Sequence, residues 1–270
     1  MDWIILALLG GLKLRWLGAI IWWWHCSMRT LILGDIHANL EAFNAVLEDV
    51  ERRGGFERLW CLGDVVGYGP DPSACIALLR RHAHLCVVGN HDRAAVGGLD
   101  IRDFNPYAAF ACRWTASRLT SEDAAWLSRL PEVVREGDFT LVHGSLRHPV
   151  WEYLLSDEIA RSTFELLDTL CCLVGHSHIP FLCREVAKTP RFEVLPEGVP
   201  LGLGDERWIL NPGAVGQPRD GDPRASYVIY DETSRSLTFW RVEYDVSTTQ
   251  EKMRRAGLPG PLADRLSFGR

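Results

Sequence analysis

The sequence predicts an α/β chain folded as one domain, with a mainly parallel sheet joined by an antiparallel one and helices outside. Two observations carry this prediction. In the first hundred residues, short apolar runs alternate with glycine-rich turns and helical patterns. Beyond residue 130 the chain becomes strand-dense, with one helical pattern among eight apolar runs. Alternation followed by a run of strands is the signature of parallel βαβ units extended by hairpins. No repeat, low-complexity tract or linker divides the chain.

The elements follow in order. Residues 30–33 form a short strand that ends at Gly34-Asp35. A helix is expected over 39–53, where Phe43, Val46, Leu47 and Val50 recur at i, i+3, i+4 and i+7 and Gly54-Gly55 stops it. The second strand is 58–62. Asp71-Pro72 reads as an N-cap with proline at the first helical position, opening a helix to about residue 81. The third strand is 84–88. Asn105-Pro106 and Ser121-Glu122-Asp123 open two more helices. Strands are then expected at 133–135, 139–142, 171–174, 181–186, 191–195, 208–210, 225–230 and 237–242, with a helix over 157–167.

Composition narrows the function. The 270 residues are 47% hydrophobic and 24% charged, enough for a substantial core. A formal charge of -6 argues against a broad basic face, so nucleic acid is not an expected partner. None of the eight cysteines forms a C-x-x-C pair, and most sit in apolar runs. They read as small buried hydrophobes in a reducing compartment, which favours a cytoplasmic location. Residues 1–27 are apolar but interrupted by Lys13 and Arg15, so neither half reaches the roughly 20 residues of a spanning helix. Asp2 and the absence of a small-residue cleavage site also fit a signal peptide poorly. We expect 1–27 to be an upstream extension and Met28 the natural start of a domain covering 28–270. No stable membrane association follows unless 1–27 is retained as an anchor.

Polar clusters recur just beyond the strand ends: Gly34-Asp35-Ile36-His37, Gly63-Asp64, Gly89-Asn90-His91-Asp92, Val142-His143-Gly144 and Gly175-His176-Ser177-His178. Ligands of α/β folds collect at the carboxyl ends of strands, so these five turns can converge on one crevice. A single Asp-x-His is usually a solvated turn. Five glycine-flanked turns holding five of the nine histidines are a different matter. Imidazole and carboxylate donors without thiolate suit zinc, manganese, iron or nickel.

The ordered set resembles the calcineurin-like metallophosphoesterase superfamily, whose motifs run D-x-H, G-D, G-N-H-[DE], H and G-H-x-H. The later Asn211-Pro212-Gly213 turn is similar to that of its small bacterial and archaeal phosphodiesterase branch. The resemblance covers residues 29–242. It implies a four-layer αββα sandwich of two mixed sheets flanked by helices. It also implies two divalent metal ions, manganese foremost, with nickel, zinc, iron or magnesium as alternatives. Asp35, His37, Asp64 and His178 would hold one ion; Asp64, Asn90, His143 and His176 would hold the other. A hydroxide bridging them would attack phosphorus in line, His91 would assist the leaving oxygen, and Asp92 would orient its turn.

In the protein phosphatase branch the second motif continues with an aspartate that orients the histidine and an arginine that binds phosphate. Gly67 and Tyr68 stand there instead, which argues against protein substrates. Arg147 and Arg219 are the foremost candidates for substrate phosphate, with His148 and Arg224 behind them. The expected function is hydrolysis of a small phosphodiester or phosphomonoester, cyclic nucleotides and dinucleoside polyphosphates among the candidates. The alternative is a non-catalytic scaffold for protein partners, as in a retromer subunit of this fold, but there the ligand set is degraded. A nuclease role ranks lower for an acidic chain without an appended DNA-binding region.

Overall fold

The computed structural model describes residues 28–270; the apolar segment 1–27, with Lys13, Arg15 and the tryptophan cluster, lies outside the described residues. The first half runs β1 (Arg29–Leu33), α1 (Leu40–Arg52), β2 (Arg58–Cys61), α2 (Pro72–Leu79), β3 (His84–Cys86), α3 (Asn90–Ala95), α4 (Pro106–Ala116) and α5 (Ser121–Ser128). The second runs β4 (Val133–Glu136), β5 (Phe139–Val142), α6 (Asp157–Leu166), β6 (Cys171–Leu173), β7 (Phe181–Val186), β8 (Thr189–Glu193), β9 (Pro200–Gly202), β10 (Trp208–Asn211), β11 (Ala225–Asp231) and β12 (Ser236–Val242). Helices α7 (Val246–Arg255) and α8 (Gly260–Asp264) and a 3-10 turn, Arg265–Phe268, follow.

The strands form two six-stranded sheets, ordered β3-β2-β1-β11-β12-β9 and β4-β5-β6-β10-β7-β8. Each is mixed. In the first, β1, β2 and β3 are parallel and β11 pairs antiparallel with β1 through Thr30↔Tyr230. In the second, β5, β6 and β10 are parallel, and β4, β7 and β8 are added by antiparallel pairing. Two mixed sheets flanked by helices are what the family resemblance implied; only the reading of the later strands as a purely antiparallel sheet is corrected, since β5, β6 and β10 run parallel. Strand β11 returns to the first sheet across almost two hundred residues of chain, a pairing that local patterning does not encode.

Side-chain alternation builds the layers. Along β1, Leu31 and Leu33 face the cluster containing Phe43, Val46 and Val50 of α1, while Ile32 faces the other sheet. Along β6, Cys171 and Leu173 join the inter-sheet core with Trp60, Phe139 and Trp208. Cys172 faces outward to Phe164 of α6. The central strands thus bury both faces, giving helix, sheet, sheet, helix. Each fully buried leucine or valine contributes roughly 1.5–3 kcal/mol. The seven described cysteines are buried and free.

Three local expectations shift. Asp71 precedes α2 but its carboxylate does not cap the helix; it accepts from Lys252 Nζ at 2.9 Å. Strand β8 begins two residues before the expected 191, because Ala187 and Lys188 adopt positive φ and make a two-residue hairpin turn with Val186 opposite Thr189. The Asn90-His91-Asp92 motif is the first turn of α3 rather than a simple loop.

Candidate metal centre

The carboxyl ends of β1, β2, β5 and β6 and the start of α3 meet at one edge of the sandwich. The turns there are conformationally demanding. Asp35, His37, Ala38, Asp64, Tyr68, His176 and His178 all have positive φ, against only Ala187, Lys188 and Arg235 elsewhere among the described non-glycine residues. Such geometry persists only where surrounding structure imposes it, and it concentrates at functional sites. Two glycines are required by close approach. A Cβ at Gly89 would lie 2.0 Å from Asp64 Oδ1, and one at Gly67, where φ is +93°, would lie 2.6 Å from His91 Nδ1.

The loop after β10 braces these turns. Gly216 N donates to Asp35 O at 2.9 Å and Val215 N to Gly34 O at 3.1 Å. Asn211 Nδ2 donates to Gly175 O at 2.7 Å. Asp92 acts similarly from the other side: its carboxylate accepts from Val66 N and Gly89 N, both at 3.0 Å, clipping the second motif to the third. Burial followed by the Asp64 charge pushes its pKa up to about 7.

All the expected ligands arrive in two overlapping groups. Asp35, His37, Asp64 and His178 form one, and Asp64, His143 and His176 the other, with ligand atoms in each within 4.8 Å of one another. Asn90 joins the second group, its Oδ1 lying 3.1 Å from His143 Nε2. Asp64 belongs to both groups: its Oδ2 is 3.5 Å from His37 Nε2 and 3.5 Å from His143 Nε2.

The protons decide what this cluster can hold. His37, His143 and His178 each set Nδ1 against a main-chain carbonyl: Val66 O at 3.2 Å, Leu62 O at 2.7 Å and Gln217 O at 2.6 Å. Carbonyls only accept, so Nδ1 carries the proton and a neutral ring presents a bare Nε2. Yet His37 Nε2 and His178 Nε2 stand 3.0 Å apart, lone pair to lone pair. Asp64 Oδ2, fully buried, has no hydrogen-bond donor at all. His176 completes the pattern with Nε2 on Trp151 O at 3.0 Å, leaving Nδ1 as its free nitrogen. Buried acceptors facing acceptors are costly unless a cation lies between them. These residues therefore fit divalent metal.

Burial holds His37, His176 and His178 below the ordinary histidine range, so these rings are neutral. His143 differs: burial opposes its charge, but the Asp64 carboxylate outweighs it and raises the ring to about 9, so without a cation this imidazole keeps both protons, and a cation bound at its Nε2 would displace one of them. Asp64 itself lies well below the usual carboxylate range because the His143 charge and its neighbours overcome burial.

His91 borders the cluster without joining it. Its backbone N–H donates to Asp64 Oδ1 at 2.9 Å. Its ring lies 4.3 Å from that of Tyr68 and 5.2 Å from that of Phe104. Burial lowers its pKa to about 4. Nδ1 is 3.3 Å from Cys112 Sγ, a contact that local patterning does not suggest, since Cys112 reads as an ordinary core residue of α4.

The candidate substrate residues separate. Arg147 is turned away into an ion pair with Glu152 at 2.5 Å. Arg224 is paired with Asp222 at 2.7 Å and Glu197 at 3.3 Å. Arg219 does reach the centre. Its Nη2 lies 3.4 Å from Tyr68 Oη and 3.1 Å from Gln217 Oε1, and its Nη1 lies 3.4 Å from Tyr153 Oη. Tyr153 stacks on the His176 ring at 4.0 Å. Sequence reasoning missed Trp151 and Tyr153; the signal was two aromatics spaced by one residue, shortly after the His143 motif.

Comparison with known proteins matches this geometry. A family profile described as the calcineurin-like phosphoesterase superfamily domain matches residues 28–235. An uncharacterized protein of Methanocaldococcus jannaschii is 41% identical over 244 residues, covering 88% of this chain and 97% of the relative. The symmetrical bis(5'-nucleosyl)-tetraphosphatase of Dechloromonas aromatica is 31% identical over 144 residues, which is 50% of this chain and 49% of that protein. The chain thus spans about half the length of that relative. The crystal structure of a metallophosphoesterase from Sphaerobacter thermophilus superposes with a TM-score of 0.82 at 46% identity, covering 90% of this chain and 100% of the other. The chain belongs to the calcineurin-like phosphoesterase superfamily.

Proposed function

We propose that the protein is a metal-dependent hydrolase of a small phosphate ester, working through two divalent cations that share Asp64. One observation carries this reading: buried Asp64 Oδ2 has no hydrogen-bond donor and lies 3.5 Å from both His37 Nε2 and His143 Nε2, while the Nε2 atoms of His37 and His178 face each other at 3.0 Å. Asp35, His37, Asp64 and His178 would hold one cation; Asp64, Asn90, His143 and His176 would hold the other. Manganese is the expected metal, and nickel, zinc, iron or magnesium suit the same donors. When bound, the pair supplies positive charge to the phosphoryl oxygens and acidifies a water, so that a bridging hydroxide can attack phosphorus in line near neutral pH.

The chain's own residues do the rest. Main-chain carbonyls at Val66, Leu62 and Gln217 fix the tautomers that present Nε2 inward. Asp92 and the loop after β10 hold the ligand turns in register. His91, pinned through its N–H to Asp64, stabilises charge on the departing oxygen from the unliganded side. Arg219 contributes a planar donor to the phosphate. No thiol or hydroxyl nucleophile is needed, so a phosphoenzyme is not expected.

The similarity to tetraphosphatases supports a small phosphorylated substrate. Among the described residues no helix is long and apolar enough to cross a membrane. We place the protein in the cytoplasm on the strength of its buried free thiols, and take residues 28–270 as the functional domain with 1–27 an upstream extension. Mass spectrometry of the natural N-terminus tests that division, since a recovered peptide containing Trp22 would refute it. For the activity, purified protein should turn over p-nitrophenyl phosphate or its bis ester with manganese, and chelation should abolish this. Turnover that survives chelation and dialysis defeats the proposal. The scaffold alternative has nothing in its favour, because the ligand set and His91 are intact.

A further inference from the structure

The His91 ring, assigned to the departing oxygen, has a single hydrogen-bond partner among the described residues. That partner is Cys112, whose Sγ lies 3.3 Å from Nδ1. The contact is enclosed, since both side chains are buried. Gly67 offers no side chain to this nitrogen, and its backbone comes so close that a Cβ there would stand 2.6 Å from Nδ1.

Helix α4 holds the cysteine in place. Asn105 caps it through Ala108 N at 2.9 Å, and Trp114 Nε1 donates to Ala256 O at 3.1 Å near its other end. Between these anchors Ala108 and Ala111 pack in the cluster that contains Tyr68, Met253 and Leu262. Tyr68 and Phe104 in turn flank the His91 ring at 4.3 Å and 5.2 Å. Ring packing limits how the imidazole tilts, but it barely distinguishes the ring from the same ring turned over. A hydrogen bond at one nitrogen does.

The direction of that bond has a chemical consequence. His37 and His178 set Nδ1 against main-chain carbonyls, which leaves Nε2 bare for a cation. His91 sets Nδ1 against a thiol. Burial pushes that thiol up to about 12, so it keeps its proton and has one to donate. Imidazole nitrogen accepts well, and once Nδ1 accepts, the single proton of a neutral ring sits on Nε2. Among the described residues Nε2 meets no partner in the protein. The ring stands edge-on to that of His37, centroids 4.9 Å apart, beside the Asp64 cluster. The ligand histidines and His91 thus carry opposite tautomers, one suited to a metal and the other to an oxygen gaining negative charge.

We propose that Cys112 is a positioning residue: its thiol donates to His91 Nδ1 and so turns an Nε2–H toward the leaving oxygen. This rests on the phosphoesterase reading above.

Two measurements on the full chain test it. In metal-free protein, the ring nitrogen NMR signals of His91, identified by their loss in His91→Gln, should be those of the Nε2-protonated tautomer. Signals of an Nδ1-protonated ring overturn the proposal. In manganese-dependent turnover, Cys112→Ala should lower kcat about tenfold for phenyl phosphate, whose phenolate leaves poorly and needs the donor most. For p-nitrophenyl phosphate the loss should stay under about threefold, with KM for both esters within about twofold of wild type. Cys112→Ser keeps a donor at the same place and should return phenyl phosphate turnover to within about threefold of wild type. Losses of equal size on the two esters, or none, reduce Cys112 to packing and overturn the proposal, as does a serine variant no better than alanine. If Cys112→Ala does not fold, the tautomer in wild type and in Cys112→Ser decides, and an Nδ1-protonated ring in either overturns it. Failure of the phosphoesterase reading shows separately, as absent turnover of both esters by the wild type, and leaves the tautomer measurement standing.

Discussion

Two buried aspartates of this chain sit in opposite kinds of surroundings. Asp49, on α1, accepts from Tyr227 Oη at 2.5 Å, Arg53 Nε at 2.7 Å and Arg52 Nη2 at 3.0 Å, and Arg53 also lies 3.5 Å over the Trp240 ring. Every oxygen has a donor, and the network fastens α1 to β11 and β12. Asp64 is buried more deeply, yet one oxygen has no donor within hydrogen-bond distance and lies 3.5 Å from the imidazoles of His37 and His143. Its backbone φ is +52°. A saturated polar network stabilises a fold, whereas an unsaturated one is tolerated only when something outside the chain completes it.

The comparison can be broken most directly at Asp64. Asp64→Ala should remove manganese-stimulated turnover of p-nitrophenyl phosphate to below detection, while the metal-free protein melts within about five degrees of wild type, the loss reflecting the one His91 N–H left without its acceptor. A metal-free melting temperature that falls by ten degrees would mean Asp64 is structural after all. Asp49→Ala should do the reverse, lowering stability by about 2–3 kcal/mol in urea unfolding because Tyr227 and Arg53 lose a buried partner. Activity per folded molecule should stay near that of wild type.

A smaller effect separates the two arginines that the sequence ranked together. Arg219→Ala should raise KM for phosphate esters about tenfold, since its donors face the centre. Arg147→Ala should change KM less than twofold, because that side chain is committed to Glu152. Equal effects would mean the loop carrying Arg147 rearranges on binding substrate.

The smallest effect is in pH. Burial opposes the Asp49 charge, but the Tyr227 and Arg53 hydrogen bonds outweigh it and hold the carboxyl below its ordinary value. A carboxylate depressed in the folded state stabilises the fold above its unfolded pKa of about 4, and that contribution fades as pH falls through the folded value. The stability gap between wild type and Asp49→Asn should therefore narrow below about pH 4. A gap that widens there would reverse the assigned sign.

The sandwich was legible in part. The i, i+3, i+4, i+7 spacing placed α1 to within a residue, because Phe43, Val46 and Val50 had to share one face. Most strand positions were visible as apolar runs. Their partners were not: β11 could as well have paired with β10 as with β1, since alternation records which face is buried and not which strand lies alongside. The short β9 strand, with exposed ends, left no such pattern.

The candidate ligands were legible through the ordered motifs: their resemblance to the family implied Asp35, His37, Asp64, Asn90, His143, His176 and His178, and the fold brings these side chains together. What the residues around them do depends on distance. Cys112 beside His91 and Trp151 O on His176 follow from packing between separate segments of the chain, and Arg147 is turned away by Glu152, five residues further on. Donor identity is a covalent property and belongs to the sequence; which groups meet, and which are left without a partner, was decided only when the two sheets closed on each other.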